Sequence, residues 1–250
     1  MTGDPVHIDP GALAASLQAI SSSPASEVPP IEASLARVID AARRLFAVTG
    51  VGLMLVDAEG ALRYVGATDA AARALETAQE DLGDGPCVEG FVTGTVVTTA
   101  DLARDDRWPE LAARVAPEGV AAVLGVPTRV AGTVIGSLNV YRSAPYEWDA
   151  SDIGAVEAHN EVLESMISTA LVARQRGIVV DQLQTALERR VVVERAIGML
   201  MERHAVTDVV AFAALRRAAR DARCAVADLA ARTLEGDDVV GARLPRSETA

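Results

Sequence analysis

The chain contains no lysine: all 23 of its basic side chains are arginine. Aromatic residues are almost as scarce, with three Phe, three Tyr and two Trp in 250 residues. Half of the residues are hydrophobic, so the core has to be built from Ala, Val, Leu and Ile. The two cysteines, Cys87 and Cys224, lie far apart and form no CxxC pair. They supply neither a disulfide framework nor a zinc site, which is the cysteine usage of a reducing compartment. No apolar run approaches the roughly 20 residues needed to cross a bilayer. The first thirty residues have no basic segment ahead of an apolar one, so no signal peptide is expected. These absences point to a cytoplasmic protein without a membrane partner. His7, His159 and His204 are isolated, and HExxH, GxSxG and P-loop patterns do not occur. "GVGLMLVDAEG" at 50–60 opens with G-x-G but lacks the third glycine of a dinucleotide fingerprint. No enzyme activity, metal or cofactor is expected.

The length suits one large domain or two modest ones. The formal net charge of −12 is unevenly distributed. Residues 1–173 hold 10 Arg against 24 Asp and Glu, whereas residues 174–235 hold 11 Arg against 8. An acidic body and a mildly basic C-terminal segment are surfaces with different partners.

"SSSPASEVPP" at 21–30 reads as the end of a flexible N-terminal segment, 1–30, preceded by one short amphipathic helix through Leu13, Leu17 and Ile20. From Ser34 the spacing of Leu35, Val38, Ile39, Ala42, Leu45 and Phe46 is helical. "VGLMLVD" and "ALRYVGA" around "AEG" form a hairpin signal. "DAAARALETAQEDL" returns to helix; "TVVTTADL", "VAAVLGVPTRV" and "GTVIGSLNVYR" are β-rich, with Gly132 in a turn. From Asp152 the pattern is helical almost to Glu235. Ile153, Val156, Leu163, Ile167 and Ala170, then Val180, Leu183, Leu187 and Val191, trace either a dimerising coiled-coil seam or a long helix packed on its own domain. Arg174 and Gly177 interrupt that seam. The tail, 236–250, is expected to be loose.

Pro86 suits the first position of a helix, placing Cys87 in the first turn, where backbone N–H groups favour a thiolate. Cys87 is therefore a candidate sensor thiol; the alternative is a small residue packed beneath a turn. Trp108 is placed to cover a pocket. "GDGPCVEGFVTGTVVTTADLARDDRWPELA" followed by "GVPTRVAGTVIGSLNVYRSAPYEWDASD" resembles a GAF domain of the actinobacterial type, over about residues 31–172. The resemblance implies a PAS-like sensor: a central antiparallel sheet, helices on one face, and often a ligand pocket on the other. The cyclic-nucleotide signature of some GAF domains is broken here. Asn139 is followed by Val140 rather than Lys, and beyond it come Tyr146, Trp148 and Asp149. The resemblance allows a small-molecule ligand in the GAF domain and fixes neither its existence nor its identity.

In the C-terminal segment, Val193, Ile197 and Leu200 mark one helix, ending near Val206 ahead of Thr207 as an N-cap. Phe212, Leu215, Ala219 and Ala222 mark a second, and Val226, Leu229 and Ala230 a third. Gly198 inside the first costs about 1 kcal/mol against Ala, which asks for a close helix contact. The segment 183–234 resembles an ANTAR domain through Arg190, Ala196–Gly198, Met199–Leu200, Ala211–Phe212, Leu215–Arg216 and Ala219. Many relatives carry Lys where this chain has Ile197. The resemblance implies a small three-helix RNA-binding module that acts in transcription antitermination, gripping paired stem-loops as a homodimer. The fold expected is therefore α+β: a GAF sheet with helices, then a long helix and an ANTAR bundle over 173–235.

RNA binding needs cations for phosphates, and Arg also stacks on or bonds loop bases. The candidates are Arg189, Arg190, Arg195, Arg203, Arg216, Arg217, Arg220 and Arg223. Arg216, Arg220 and Arg223 fall at i, i+4 and i+7, on one helix face. Three alternatives stand beside this reading: a solvated face pairing with Glu188, Glu194, Glu202 and Asp221; a helix-turn-helix on DNA, for which "AVADLAARTL" offers few base-reading side chains; and a sensing module whose arginines meet a protein partner.

Overall fold

A computed structural model describes residues 31–172, 178–237, 239–241 and 244. The helix expected near Leu13, the lead-in before residue 31, and Arg174 and Gly177 lie outside the described residues.

The first unit is a five-stranded antiparallel sheet in the order β2-β1-β5-β4-β3, with β1 (Gly50–Val56), β2 (Leu62–Ala67), β3 (Val97–Thr99), β4 (Ala122–Val130) and β5 (Thr133–Arg142). All seven residues of β1 are buried, as a strand covered on both faces requires. The helices are not confined to one face as the resemblance implied. On one side lie α1 (Ile31–Phe46) and α5 (Ala150–Val172); on the other lie α2 (Ala70–Leu82), α3 (Pro86–Thr93) and α4 (Pro109–Val115). The helical spacing of α1 explains its place: Leu35, Val38, Ile39, Ala42 and Phe46 are all buried. Trp108 does not cover a pocket; it is buried in a second cluster with Leu75, Leu102, Leu111 and Val115.

Val156, Leu163, Ile167 and Ala170 point into this chain's own core, with α5 packed against α1 and β4. The α5 part of the seam is thus occupied within the chain. On the next helix Val180 and Leu183 are buried, while Val191 is half exposed. The C-terminal unit consists of α6 (Ile178–His204), α7 (Asp208–Ala222) and α8 (Val226–Leu234). It is not separate from the first: one continuous cluster of buried side chains runs from α1 and the sheet into α6, α7 and α8. The tail also departs from expectation, because Val240 and Leu244 are buried in that cluster. Among the described residues no helix is long and apolar enough to cross a membrane.

Candidate nucleic-acid interface

The three C-terminal helices begin and end where local chemistry dictates. α6 stops at Ala205, which adopts a left-handed conformation (φ 52°). Thr207 then caps α7, its hydroxyl accepting the Val210 N–H at 3.3 Å. Arg223 closes α7 in a left-handed conformation (φ 51°), so the i+7 position of the sequence pattern falls just beyond the helix. Val193, Ala196, Ile197 and Leu200 of α6 are buried, as are Phe212, Leu215 and Ala219 of α7 and Val226, Leu229 and Ala230 of α8. Small side chains at Ala196, Ala211, Ala218 and Ala230 suit close helix approach. Gly198 is not part of that packing: it is exposed, and a Cβ there would meet nothing within 4 Å. The close-contact reason for this glycine therefore fails, because its position on α6 faces away from α7 and α8.

The eight arginines fall into two groups. Arg189, Arg195, Arg203, Arg217, Arg220 and Arg223 are exposed. Arg189 approaches Asp228 at 3.7 Å; among the described residues the other five form no ion pair. Of the pairings expected for a solvated face with Glu188, Glu194 and Glu202, one is found among the described residues, that of Arg190 with Glu194 at 2.9 Å. Arg190 and Arg216 are each only 7% exposed.

Both buried arginines are held against the first unit. The Arg190 guanidinium lies 4.2 Å from the centroid of the Phe91 ring, and its Nη2 reaches the Phe91 carbonyl at 3.5 Å. Phe91 in turn packs against Phe212 of α7, ring centroids 5.9 Å apart. Arg216 donates through Nη2 to the Glu80 carbonyl near the end of α2, while its Nη1 is buried with no partner. Space for it comes from Gly83, the left-handed C-cap of α2 (φ 70°); a Cβ at that position would stand 3.1 Å from Nη1. A second contact joins the β1–β2 turn to α8, where the Ala227 N–H donates to the Glu59 carbonyl at 3.4 Å. Burial lowers the pKa of both guanidiniums; at Arg216 the neighbouring Arg220 and Arg63 charges lower it further. Taking an arginine out of water without a carboxylate partner costs free energy, so α7 is docked at the expense of Arg216.

Cys87 does lie in the first turn of α3, after Pro86 at the start of that helix. Its thiol is fully buried, 3.3 Å from the Met54 sulfur. Desolvation and the nearby Glu76 push the thiol pKa up, opposite to the direction expected from the helix N-terminus. The backbone N–H of Cys87 is already engaged, donating to Gln79 Oε1 at 2.8 Å. Around it lies a polar cluster that the sequence reading missed. Asn139 Nδ2 donates to both carboxyl oxygens of Glu76, at 2.9 and 3.0 Å, and Gln79 Nε2 donates to Oε2 at 3.2 Å. Glu76 is completely buried, and burial raises its pKa to about 8 despite those bonds. Gly52 makes room for it: a Cβ there would lie 2.1 Å from Glu76 Oε1. A three-residue spacing of Glu76 and Gln79 on an otherwise apolar helix face was the available signal. Among the described residues no three His, Cys, Asp or Glu side chains are grouped to hold a metal.

The family model of the GAF domain matches residues 30–164, and that of the ANTAR domain residues 181–233. No protein of curated function matches the chain. Among solved structures, the GAF domain of a phosphoenolpyruvate-protein phosphotransferase from Coxiella burnetii is 14% identical, with 66% of this chain and 96% of that one covered and a TM-score of 0.54. The corresponding GAF domain from Acinetobacter is 15% identical, over 66% and 96% of the two chains, at a TM-score of 0.53. Free methionine-R-sulfoxide reductase from Neisseria meningitidis, in complex with its substrate, is 16% identical over 69% and 99%, at 0.52. At these identities the likeness is one of fold. The sheet and its helices, the family match over more than half of the chain, and the three-helix unit that follows together establish that this protein belongs to the GAF family and carries a C-terminal ANTAR domain.

Proposed function

We propose that the protein is a cytoplasmic RNA-binding regulator of transcription antitermination, whose ANTAR domain holds paired stem-loops of a nascent transcript and whose GAF domain controls access to that surface. The observation that carries this reading is the ANTAR match over α6–α8 together with five exposed arginines there that form no ion pair with a described residue. Charged side chains left without partners on Ala-rich helices are available to phosphates. Exposed Gly198 leaves the α6 surface flat between Arg195 and Met201, open to close approach by an RNA backbone. Catalysis has no part in this proposal.

Control by the GAF domain follows from the docking. Arg190 and Arg216 belong to the proposed RNA set, yet the GAF domain covers both. RNA that uses all eight arginines requires α7 to leave α3 and the end of α2. A homodimer joined through its long helices presents two such surfaces to two hairpins. The test is a gel shift of the full chain with RNA carrying two adjacent small hairpins, against loop-scrambled RNA and duplex DNA. Selective binding that Arg195→Ala/Arg203→Ala/Arg217→Ala abolishes supports the reading. Preference for duplex DNA favours a DNA-binding factor, and no binding at moderate salt favours a protein partner.

A further inference from the structure

Between the GAF domain and the α7–α8 turn lies a cavity of about 510 Å³, within the roughly 300–1,000 Å³ typical of small-ligand pockets, which favour domain junctions. Four arginines line it: Arg63 from β2, and Arg216, Arg220 and Arg223 from the ANTAR side. Nearby carboxylates neutralise Arg63 and leave Arg216, Arg220 and Arg223 without an acidic partner among the described residues. Arg63 is held by Asp57 at 2.6 Å through Nε and by Glu80 at 2.9 Å through Nη1, and Asp81 is paired with Arg114 at 2.8 Å. Glu59 carries the remaining carboxylate. Among the described residues Arg216, Arg220 and Arg223 form no ion pair, and Arg216 is a nearly buried guanidinium with an unpartnered Nη1. Among the described residues, three cations without an ion pair thus face Glu59 across a cleft with walls from both domains.

We propose that this cleft is an effector site for a small anion carrying at least two negative charges, a phosphorylated or polycarboxylate metabolite. Charge-assisted bonds from Arg220 and Arg223 on one wall, and from Arg63 Nη2 on the other beside the Nε and Nη1 held by Asp57 and Glu80, would bridge the two domains. The anion also offsets the mutual repulsion of Arg216 and Arg220. Because it binds only where both walls meet, it favours the docked state by mass action. The bound effector thereby withholds Arg216, Arg220 and Arg223 from RNA. This second part rests on the proposed RNA reading; the site itself does not.

The experiment titrates the full chain calorimetrically with inorganic pyrophosphate and with citrate, each against chloride at equal ionic strength. Wild-type protein binds at least one of them, and the one bound distinguishes a phosphate from a carboxylate effector. Arg63→Gln and Arg223→Gln each weaken that binding about tenfold, the effect of losing one charge-assisted bond; two variants from opposite walls guard against loss of fold in either. In the RNA gel shift the same anion lowers wild-type affinity beyond the chloride control and leaves Arg63→Gln unaffected. Absence of binding by both anions, or equal binding by both variants and wild type, overturns the site. Weaker RNA binding by Arg63→Gln without added anion overturns it too, since the cleft then takes an RNA phosphate. Anion binding that both variants lose, in a protein that binds no RNA, upholds the site and sinks the RNA reading alone.

Discussion

Replacing Phe91 by Leu separates the docked from the undocked ANTAR domain with little disturbance of either. Phe91 offers its ring to the Arg190 guanidinium at 4.2 Å and to Phe212 at 5.9 Å. Leucine keeps an apolar side chain on the sheet side of α3 and removes both ring interactions. An aromatic pair contributes about 0.5–1.5 kcal/mol beyond its buried area, and a partly desolvated cation over a ring about 0.5–2 kcal/mol. Docking is therefore weakened by about 1–3.5 kcal/mol, which raises the undocked fraction about fivefold to several hundredfold. If the docked GAF domain masks Arg190 and Arg216, apparent RNA affinity rises by the same factor, since affinity scales with the competent fraction. Fluorescence anisotropy with a labelled two-hairpin RNA at fixed salt reads that change, with thermal unfolding as the control for fold. Unchanged or weaker RNA binding by a folded Phe91→Leu protein would refute masking, because the substitution leaves all eight arginines in place.

Further outcomes follow from individual residues. Gly83→Asn places a Cβ 3.1 Å from Arg216 Nη1 in a left-handed position that Asn tolerates; RNA affinity rises in the anisotropy assay while the helical circular dichroism signal is kept. Gly198→Ala stabilises the free protein by about 1 kcal/mol in urea unfolding and weakens RNA binding if the backbone passes over that spot. Glu76 ties stability to pH. Its pKa of about 8 in the folded protein exceeds the ordinary value of 4.5, so the folded state binds the extra proton. Stability on this account is full below pH 4.5 and falls as pH rises through 8, by a few kcal/mol as an order of magnitude. Glu76→Gln flattens that decline in unfolding measured across pH 5–9; an identical slope in the variant would assign the decline to other groups.

The parts legible in the sequence are those fixed by short-range chemistry. Spacing and β-rich runs located the five strands and helices α1, α2 and α5 of the described GAF unit, Pro86 marked the start of α3, and Thr207 and Gly132 punctuated the chain as local sterics require. Long-range matters were hidden. Nothing local to Arg190 or Arg216 distinguishes them from Arg189 or Arg217, since burial depends on Phe91 and Gly83, roughly a hundred residues away in sequence. The same applies to Cys87: its helix position was readable, but the depth of burial that outweighs it depends on β1 and α2. Gly198 invited a packing explanation because helix glycines usually have one, and only its orientation on α6 removes it.

The most direct test of the central claim is the salt dependence of binding between the full chain and a two-hairpin RNA. Each phosphate contact contributes a slope of about −0.7 to −0.9 in log affinity against log salt. The account predicts selective binding over duplex DNA with a slope of several such contacts, reduced by about one contact in Arg217→Ala. A slope near zero, or one that Arg217→Ala leaves unchanged while DNA binds equally well, would contradict it.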